Sequence, residues 1–428
     1  MDTRRVAAHR EILNANISAL RYFGLWTPFP ESSGIFKLFY TFYNKIMIAL
    51  MCTFAGTIVA DLCVNYRDLM IVTDDGCFIA GVSVVIFKLF NFQLRRERIE
   101  NLINAIHKPV EILRCSSDRA VVELVKNFVL YEKTTVYFLS CLGGFLVVAV
   151  VLFVPTENGS MPIRAKYPFD STIQPMHEIA FFIQASAVTT TIVAIMAMDT
   201  IVIGFCRFTH LQLKVLASNY TNCRNSSSER GCLELPKDNL ATSFFRPDED
   251  FVIRSFVPFD PEEINEPEDN FTKRFRTCVK HHQRLIKIVD DINELFGSSM
   301  LVQLCASSSM ICLTGFQAVL GAKESENLMK FAVYLGAAFS QLLCWCWFGN
   351  KLIYQSDSLA TSQWFSGWED ENDISPVAVL IIVSLIRTRR SMSLTAGSFY
   401  TMSMETFIAI LKSSYSFFAL LTTVNEEA

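Results

Sequence analysis

Glu405, Ala409, Lys412, Ser416, Ala419 and Thr423 recur at intervals of four and three residues, which places them on one face of a helix. Around them, in the stretch Leu394 to Val424, stand Phe407, Ile408, Ile410, Leu411, Tyr415, Phe417, Phe418 and Leu421. Charged and hydroxyl groups along one side of an apolar helix either face water or a protein partner as a functional surface, or make close contacts between helices through small and polar side chains. Other reactive groups are sparse. His281 and His282 are adjacent, diverge by about 100° on a helix, and have no Cys, Asp or Glu four residues after either, so they pack rather than ligate. Cys344-Trp345-Cys346 lacks metal-ligand spacing, and the 13 cysteines are an odd number spread over apolar stretches. No Walker loop, GxSxG or HExxH occurs, and the net charge of −4 argues against nucleic acid. The chain is expected to be no enzyme, with no catalytic residue, metal or cofactor.

The elements that must carry the stripe are membrane helices. Of 428 residues 51% are hydrophobic and 19% charged, too apolar a mixture for an ordinary soluble protein of this length. Uncharged runs near the length of about 20 residues needed to span a bilayer occur at Thr134 to Val154, Ile179 to Met198, Gly297 to Ala322 and Phe331 to Asn350. Ile46 to Val64 is interrupted by Asp61 and Gly76 to Leu94 by Lys88. With the terminal stretch these make seven spans in an all-α membrane protein.

With the N-terminus inside, 31 Lys and Arg lie on the inner side against 5 on the outer, and 18 against 5 when the long inner loop is left out. The topology is therefore inverted relative to a G-protein-coupled receptor, with the C-terminus outside. The first residues, with Arg4, Arg5 and Arg10, lack the apolar core of a cleavable signal, so the first span is expected to anchor the chain. Asn158 is the one glycosylation acceptor on the outer side; Asn16, Asn219, Asn225 and Asn270 also satisfy Asn-x-Ser/Thr and stay bare in this topology. Lys88 lies seven residues before Arg95, roughly 10 Å inside the inner exit, and is expected to snorkel to the cytoplasm, with no further role.

The domain order follows: an inner segment 1–45 with an amphipathic stretch over Glu11 to Phe23; four spans in 46–205 with an outer loop 155–177; an inner region 206–296; spans five and six in 297–350; an inner segment 351–393; and the last span in 394–424. Asn222 to Asn270 carries 12 acidic residues against 5 basic and reads as a disordered insert that buries no core.

Leu394-Thr395-Ala396-Gly397, Phe399-Tyr400-Thr401-Met402-Ser403 and Ser414-Tyr415-Ser416-Phe417-Phe418-Ala419-Leu420-Leu421 resemble the C-terminal signature of insect odorant receptors. Gly24-Leu25-Trp26-Thr27-Pro28, Met161 to Asp170, Cys278 to Leu285, Cys312 to Gln317, Gly349 to Ile353 and Trp364 to Trp368 are similar to further segments of that family, so the resemblance covers nearly the whole chain. Ser391 stands where many members carry proline.

The resemblance implies a subunit of a tetrameric cation channel in the plasma membrane of the olfactory sensory neuron dendrite. A volatile ligand opens it, and its partner is the family's shared co-receptor. The co-receptor's own longer loop between spans four and five is not matched here. In the family the last helix lines the pore, which carries over to Lys412, Ser416 and Thr423, with Leu420 at the constriction. The odorant cavity would lie among Phe78, Val82, Phe145, Val148, Phe181, Ala185, Tyr334 and Ala338, under the 155–177 loop as a lid, with Tyr334 or Thr189-Thr190-Thr191 as polar handles. Such a cavity binds a small volatile by apolar burial. A gustatory receptor of the same superfamily, or an inverted seven-helix receptor that signals without conduction, are the alternatives. The expected partners are the co-receptor, the odorant and membrane lipid.

Overall fold

A computed structural model of the chain describes residues 15–28, 33–149, 161–224, 253–259, 270–320, 325–371 and 375–427, apart from 115, 117, 162, 172 and 254. Asn158 lies outside the described residues. A short helix over 15–22 (α1) is followed by α2 (Gly34–Val64), α3 (Leu69–Leu94), α4 (Arg96–Arg114), α5 (Arg119–Val148), α6 (Met176–Thr221), α7 (Phe271–Leu320), α8 (Ser325–Trp364) and α9 (Ala378–Thr388). A small antiparallel hairpin, β1 (Thr395–Ala396) and β2 (Tyr400–Thr401), leads into α10 (Met404–Glu427). Ser33, Asp68 and Asp118 cap α2, α3 and α5, each side chain accepting from amides that have no carbonyl partner in the first turn.

Among the described residues six helices, α2, α3, α6, α7, α8 and α10, are long and apolar enough to cross a membrane. The seventh, α5, is uncharged from Thr134 to its end at Val148, and the sequence stays uncharged to Val154. Three helices run well past the spans expected from the sequence: α6 has 46 residues, α7 has 50 and α8 has 40. At 1.5 Å per residue these reach about 60–75 Å, roughly twice the hydrocarbon thickness, so their inner halves project beyond it. Charge ends an apolar run but does not end a helix. The projecting turns bury Leu213, Tyr220, Phe275, Leu285, Ile292, Leu352 and Leu359 in one core with α4 and α9.

The amino-terminal turn closes on this frame. Gly24 has φ of 70°, and a Cβ there would meet the Tyr43 ring at 2.6 Å, so glycine is required twice over. The Tyr40 hydroxyl donates to the Arg21 carbonyl at 2.8 Å, the Asn44 amide donates to the Gly24 carbonyl, and Trp26 stands edge-on to Phe92.

Two expectations change here. The terminal helix begins at Met404, not at Leu394, because the preceding residues turn back as the hairpin. Gly397 takes φ of 60°, its amide donates to the Gly297 carbonyl at 2.8 Å, and the Thr395 amide donates to Asn293 Oδ1 at 2.9 Å, so these donors serve α7 rather than a helix of their own. A Cβ on Gly349 would strike the Met402 carbonyl, which makes α8 the other wall of this dock.

Second, part of the acidic insert packs. Ile253, Val257 and Phe259 are buried, and Asn219 clasps Val257 from both sides, Nδ2 donating to its carbonyl at 2.7 Å and Oδ1 accepting from its amide at 2.8 Å. Phe259 lies on the His281 ring at 4.4 Å between centroids. Three apolar anchors suffice to hold a short segment that net charge alone would leave free. Deleting 253–259 is therefore expected to lower the amount of folded receptor at the cell surface, whereas deleting 226–250 leaves it near normal; surface labelling of the two deletions reads the difference.

Candidate functional site

Between the outer halves of α2, α3, α6, α7 and α8 lies a cavity of about 170 Å³. Phe54 of α2, Phe78, Val82 and Val85 of α3, Leu146 of α5, Val188 and Ile192 of α6, Ala306 and Met310 of α7 and Tyr334 and Ala337 of α8 form its wall. Ile163 closes it from the outer loop. The Gln184 amide holds that residue from both sides, Nε2 donating to the Ile163 carbonyl at 2.8 Å and Oε1 accepting from its amide at 3.4 Å. The Lys166 amide donates to the Thr57 carbonyl at 3.0 Å, and Tyr167 packs on Phe169, so the loop is pinned to α2 and α6. Burial pushes the Tyr167 hydroxyl's pKa above its ordinary value, which keeps it a neutral part of that cover.

Of the residues expected around an odorant, Phe78, Val82 and Tyr334 line this cavity, and the Phe78 and Tyr334 rings meet edge-on at 5.3 Å. Phe145 and Val148 do not: both are exposed on α5, and it is their neighbour Leu146 that points inward. Phe181 and Ala185 stand seven and three residues before Val188 on α6, off the wall, and Ala338 is buried beside it while Ala337 forms it. Of the threonine cluster Thr191 alone reaches the cavity, and all three hydroxyls donate to carbonyls four residues back at 2.7 Å. The contribution of α7 was missed, since nothing in an uncharged run says which side faces a void.

At its inner end the cavity has a polar floor. Gln303 and Gln341 line it. Gln303 Nε2 donates to Gln341 Oε1 at 3.1 Å, Gln341 Nε2 donates to Asp199 Oδ2 at 2.6 Å, and Lys88 Nζ meets Asp199 Oδ1 at 2.5 Å. Lys88 also lies over the Trp345 ring at 5.4 Å and is 2% exposed. The expected snorkelling is therefore corrected: a lysine whose counter-ion is already in the membrane interior gains more from that pair than from stretching to water. Asp199 escaped notice because it lies one residue past the run ending at Met198. A second buried pair, Glu132 with Arg207, stands further in, the guanidinium packed on the rings of Phe128, Tyr131 and Phe348.

The terminal helix completes the picture. Its packed face carries Phe407, edge-on to Phe339 at 5.2 Å, Ser414, whose hydroxyl meets that of Ser308 at 3.1 Å, and Phe418, lying towards Gly315. Of the six stripe residues Glu405, Ala409, Lys412, Ser416 and Thr423 are exposed and Ala419 is half-buried, and Leu420 beside them is 59% exposed. The polar members of the stripe are thus not used for packing within this chain. Leu411 is half-buried towards the bundle.

Comparison with known proteins agrees with this architecture. The chain is similar to Odorant receptor 13a of Drosophila melanogaster, 23% identical over 84% of this chain and 82% of that one, and to Odorant receptor 47b of the same organism, 24% identical over 81% and 76%. Its fold is similar to that of the insect olfactory receptor OR5 from Machilis hrabei in complex with eugenol, with a TM-score of 0.77 at 16% identity, covering 97% of this chain and 98% of that one. The profile of the 7tm Odorant receptor family matches residues 70–415. The chain, a multi-pass membrane receptor and not an enzyme, belongs to the seven-transmembrane odorant receptor family.

Proposed function

We propose that this receptor is the odorant-binding subunit of a heteromeric cation channel, assembled as a tetramer with the family's co-receptor in the plasma membrane of olfactory sensory neuron dendrites. A small volatile binds in the cavity under the outer loop, and the terminal helices line the pore with Lys412, Ser416 and Thr423, closed by Leu420. The observation that carries this reading is the unused polar stripe of α10. A carboxylate or an ammonium facing lipid would each cost about 2.5–3.5 kcal/mol or more, so this face requires water or neighbouring subunits. The same helix touches α7 through Ser308 and Ser414, and α7 carries Gln303 in the cavity wall, so a ligand has a short mechanical route to the pore.

Expression with the co-receptor in cells lacking G-protein signalling, challenged with a volatile panel, is expected to give whole-cell current within milliseconds. Responses that need G-proteins, or that leave membrane conductance unchanged, would contradict the channel. The inverted topology makes a separate prediction: Asn158 is the glycosylated sequon. Asn219 is fully buried and bonded to Val257, so a glycan there would overturn both the orientation and the fold.

A further inference from the structure

Two polar atoms of the cavity-lining side chains have no hydrogen-bond partner among the described residues, Tyr334 Oη and Gln303 Oε1. Gln303 is 3% exposed, and the orientation of its amide is fixed from a distance. Asp199 can only accept, so Gln341 must present Nε2 to it, at 2.6 Å. That turns Gln341 Oε1 towards Gln303, which must answer with its own Nε2, at 3.1 Å. The same Nε2 reaches Ser307 Oγ at 3.1 Å. Lys88 holds the carboxylate that starts the relay, at 2.5 Å. The result is an oriented, desolvated acceptor, Gln303 Oε1, at the inner end of an otherwise apolar cavity.

We propose that the cavity selects ligands bearing one hydrogen-bond donor on an apolar skeleton, an alcohol or a phenol, whose O–H donates to Gln303 Oε1. This names the ligand class for the odorant-binding reading and rests on it. Tyr334 stands seven residues before Gln341 on α8, about 10 Å further out. The ligand's apolar body therefore lies towards Phe78 and Tyr334, with its hydroxyl pointing inward. A volume of about 170 Å³ is close to that of a cavity that holds benzene, about 150 Å³, so the skeleton is on the order of one ring. An ether, ester or hydrocarbon of the same shape brings no donor to Gln303 Oε1 and forgoes the hydrogen bond that a hydroxyl gains there.

The test uses the full chain with its co-receptor and matched sets on one skeleton: 4-ethylphenol with 4-ethylanisole and 4-ethyltoluene, and 1-hexanol with hexyl methyl ether and hexyl acetate. The hydroxyl members are expected to half-activate at about tenfold lower concentration than their ethers. Gln303→Met is expected to bring that ratio to about one; a ratio lost in Tyr334→Phe but kept in Gln303→Met would place the acceptor at Tyr334 Oη and overturn the inference. Taking the ratio within each variant cancels differences in expression and gating. If Gln303→Met fails to reach the surface, the wild-type ratio decides. Ethers as potent as alcohols in the wild type, or a ratio that survives Gln303→Met, would overturn the inference. Currents evoked by ethers or esters but by no alcohol or phenol would overturn it while leaving odorant gating intact. Silence to every set at confirmed surface expression would overturn the odorant-gated reading, and this inference with it.

Discussion

Lys88→Met is expected to remove most of the receptor from the cell surface. The lysine and Asp199 are both buried, 2% and 7% exposed, and the variant leaves a carboxylate in the membrane interior with only the Gln341 amide to answer it. Breaking one side of a buried pair costs about 3–5 kcal/mol, because the surviving charge keeps its desolvation penalty and loses its compensation. That is a large share of the 5–15 kcal/mol by which a folded domain is typically stable. Removing both charges is far milder. Lys88→Met with Asp199→Asn keeps an acceptor for Gln341 Nε2 and is expected to recover surface expression and detergent melting temperature, a coupling that a double-mutant cycle isolates. A double variant as poorly folded as the single one would show that the pair is not what makes Lys88 necessary.

Leu420→Ser is expected to open the channel without ligand. In the proposed pore an apolar ring blocks ions by excluding water, so replacing the side chain by a hydroxyl wets the constriction directly. Leu420 lies about 60° from Thr423 around the helix, close enough for a modest rotation of α10 to carry it into or out of the axis. Withdrawing a leucine from apolar contact is worth about 1.5–3 kcal/mol, which corresponds to roughly a tenfold or greater rise in resting open probability. Leu411→Ala, on the half-buried side of the same helix, is expected to reduce folded protein instead. Resting currents indistinguishable from wild type in Leu420→Ser, with normal ligand responses, would remove Leu420 from the gate.

Much of this architecture was legible in the sequence because hydropathy and helical period act over many residues at once. The seven apolar stretches, and the spacing of Glu405, Ala409, Lys412, Ser416 and Thr423, needed no tertiary information, and the structure leaves those stripe residues exposed together. What was not legible depended on single partners. Lys88 gave no sign that Asp199, 111 residues away, would meet it. Residues 253–259 are a short apolar run whose acidic neighbours dominate the net charge of the insert, and Asn219 and His281, distant in sequence, supply the contacts that fix it. The start of α10 was misplaced because Leu394 to Thr401 carries no charge to mark a boundary, and it is the backbone at Gly397, docked on Gly297, that forces a hairpin. In the cavity, α3 and α8 were anticipated through Phe78, Val82 and Tyr334. The inward faces of α5, α6 and α7 were set by helix rotation, which apolar runs do not encode.

The central claim is that a ligand in this cavity drives conduction through α10. The measurement that tests it most directly is whole-cell current from Ala337→Trp, alone and combined with Leu420→Ser, expressed with the co-receptor. Ala337 lines the cavity, and an indole there occupies the space a ligand needs. The account predicts that Ala337→Trp reaches the surface but gives no odorant-evoked current, while the double variant still carries the ligand-independent current of Leu420→Ser. An odorant response of normal size in Ala337→Trp would contradict it.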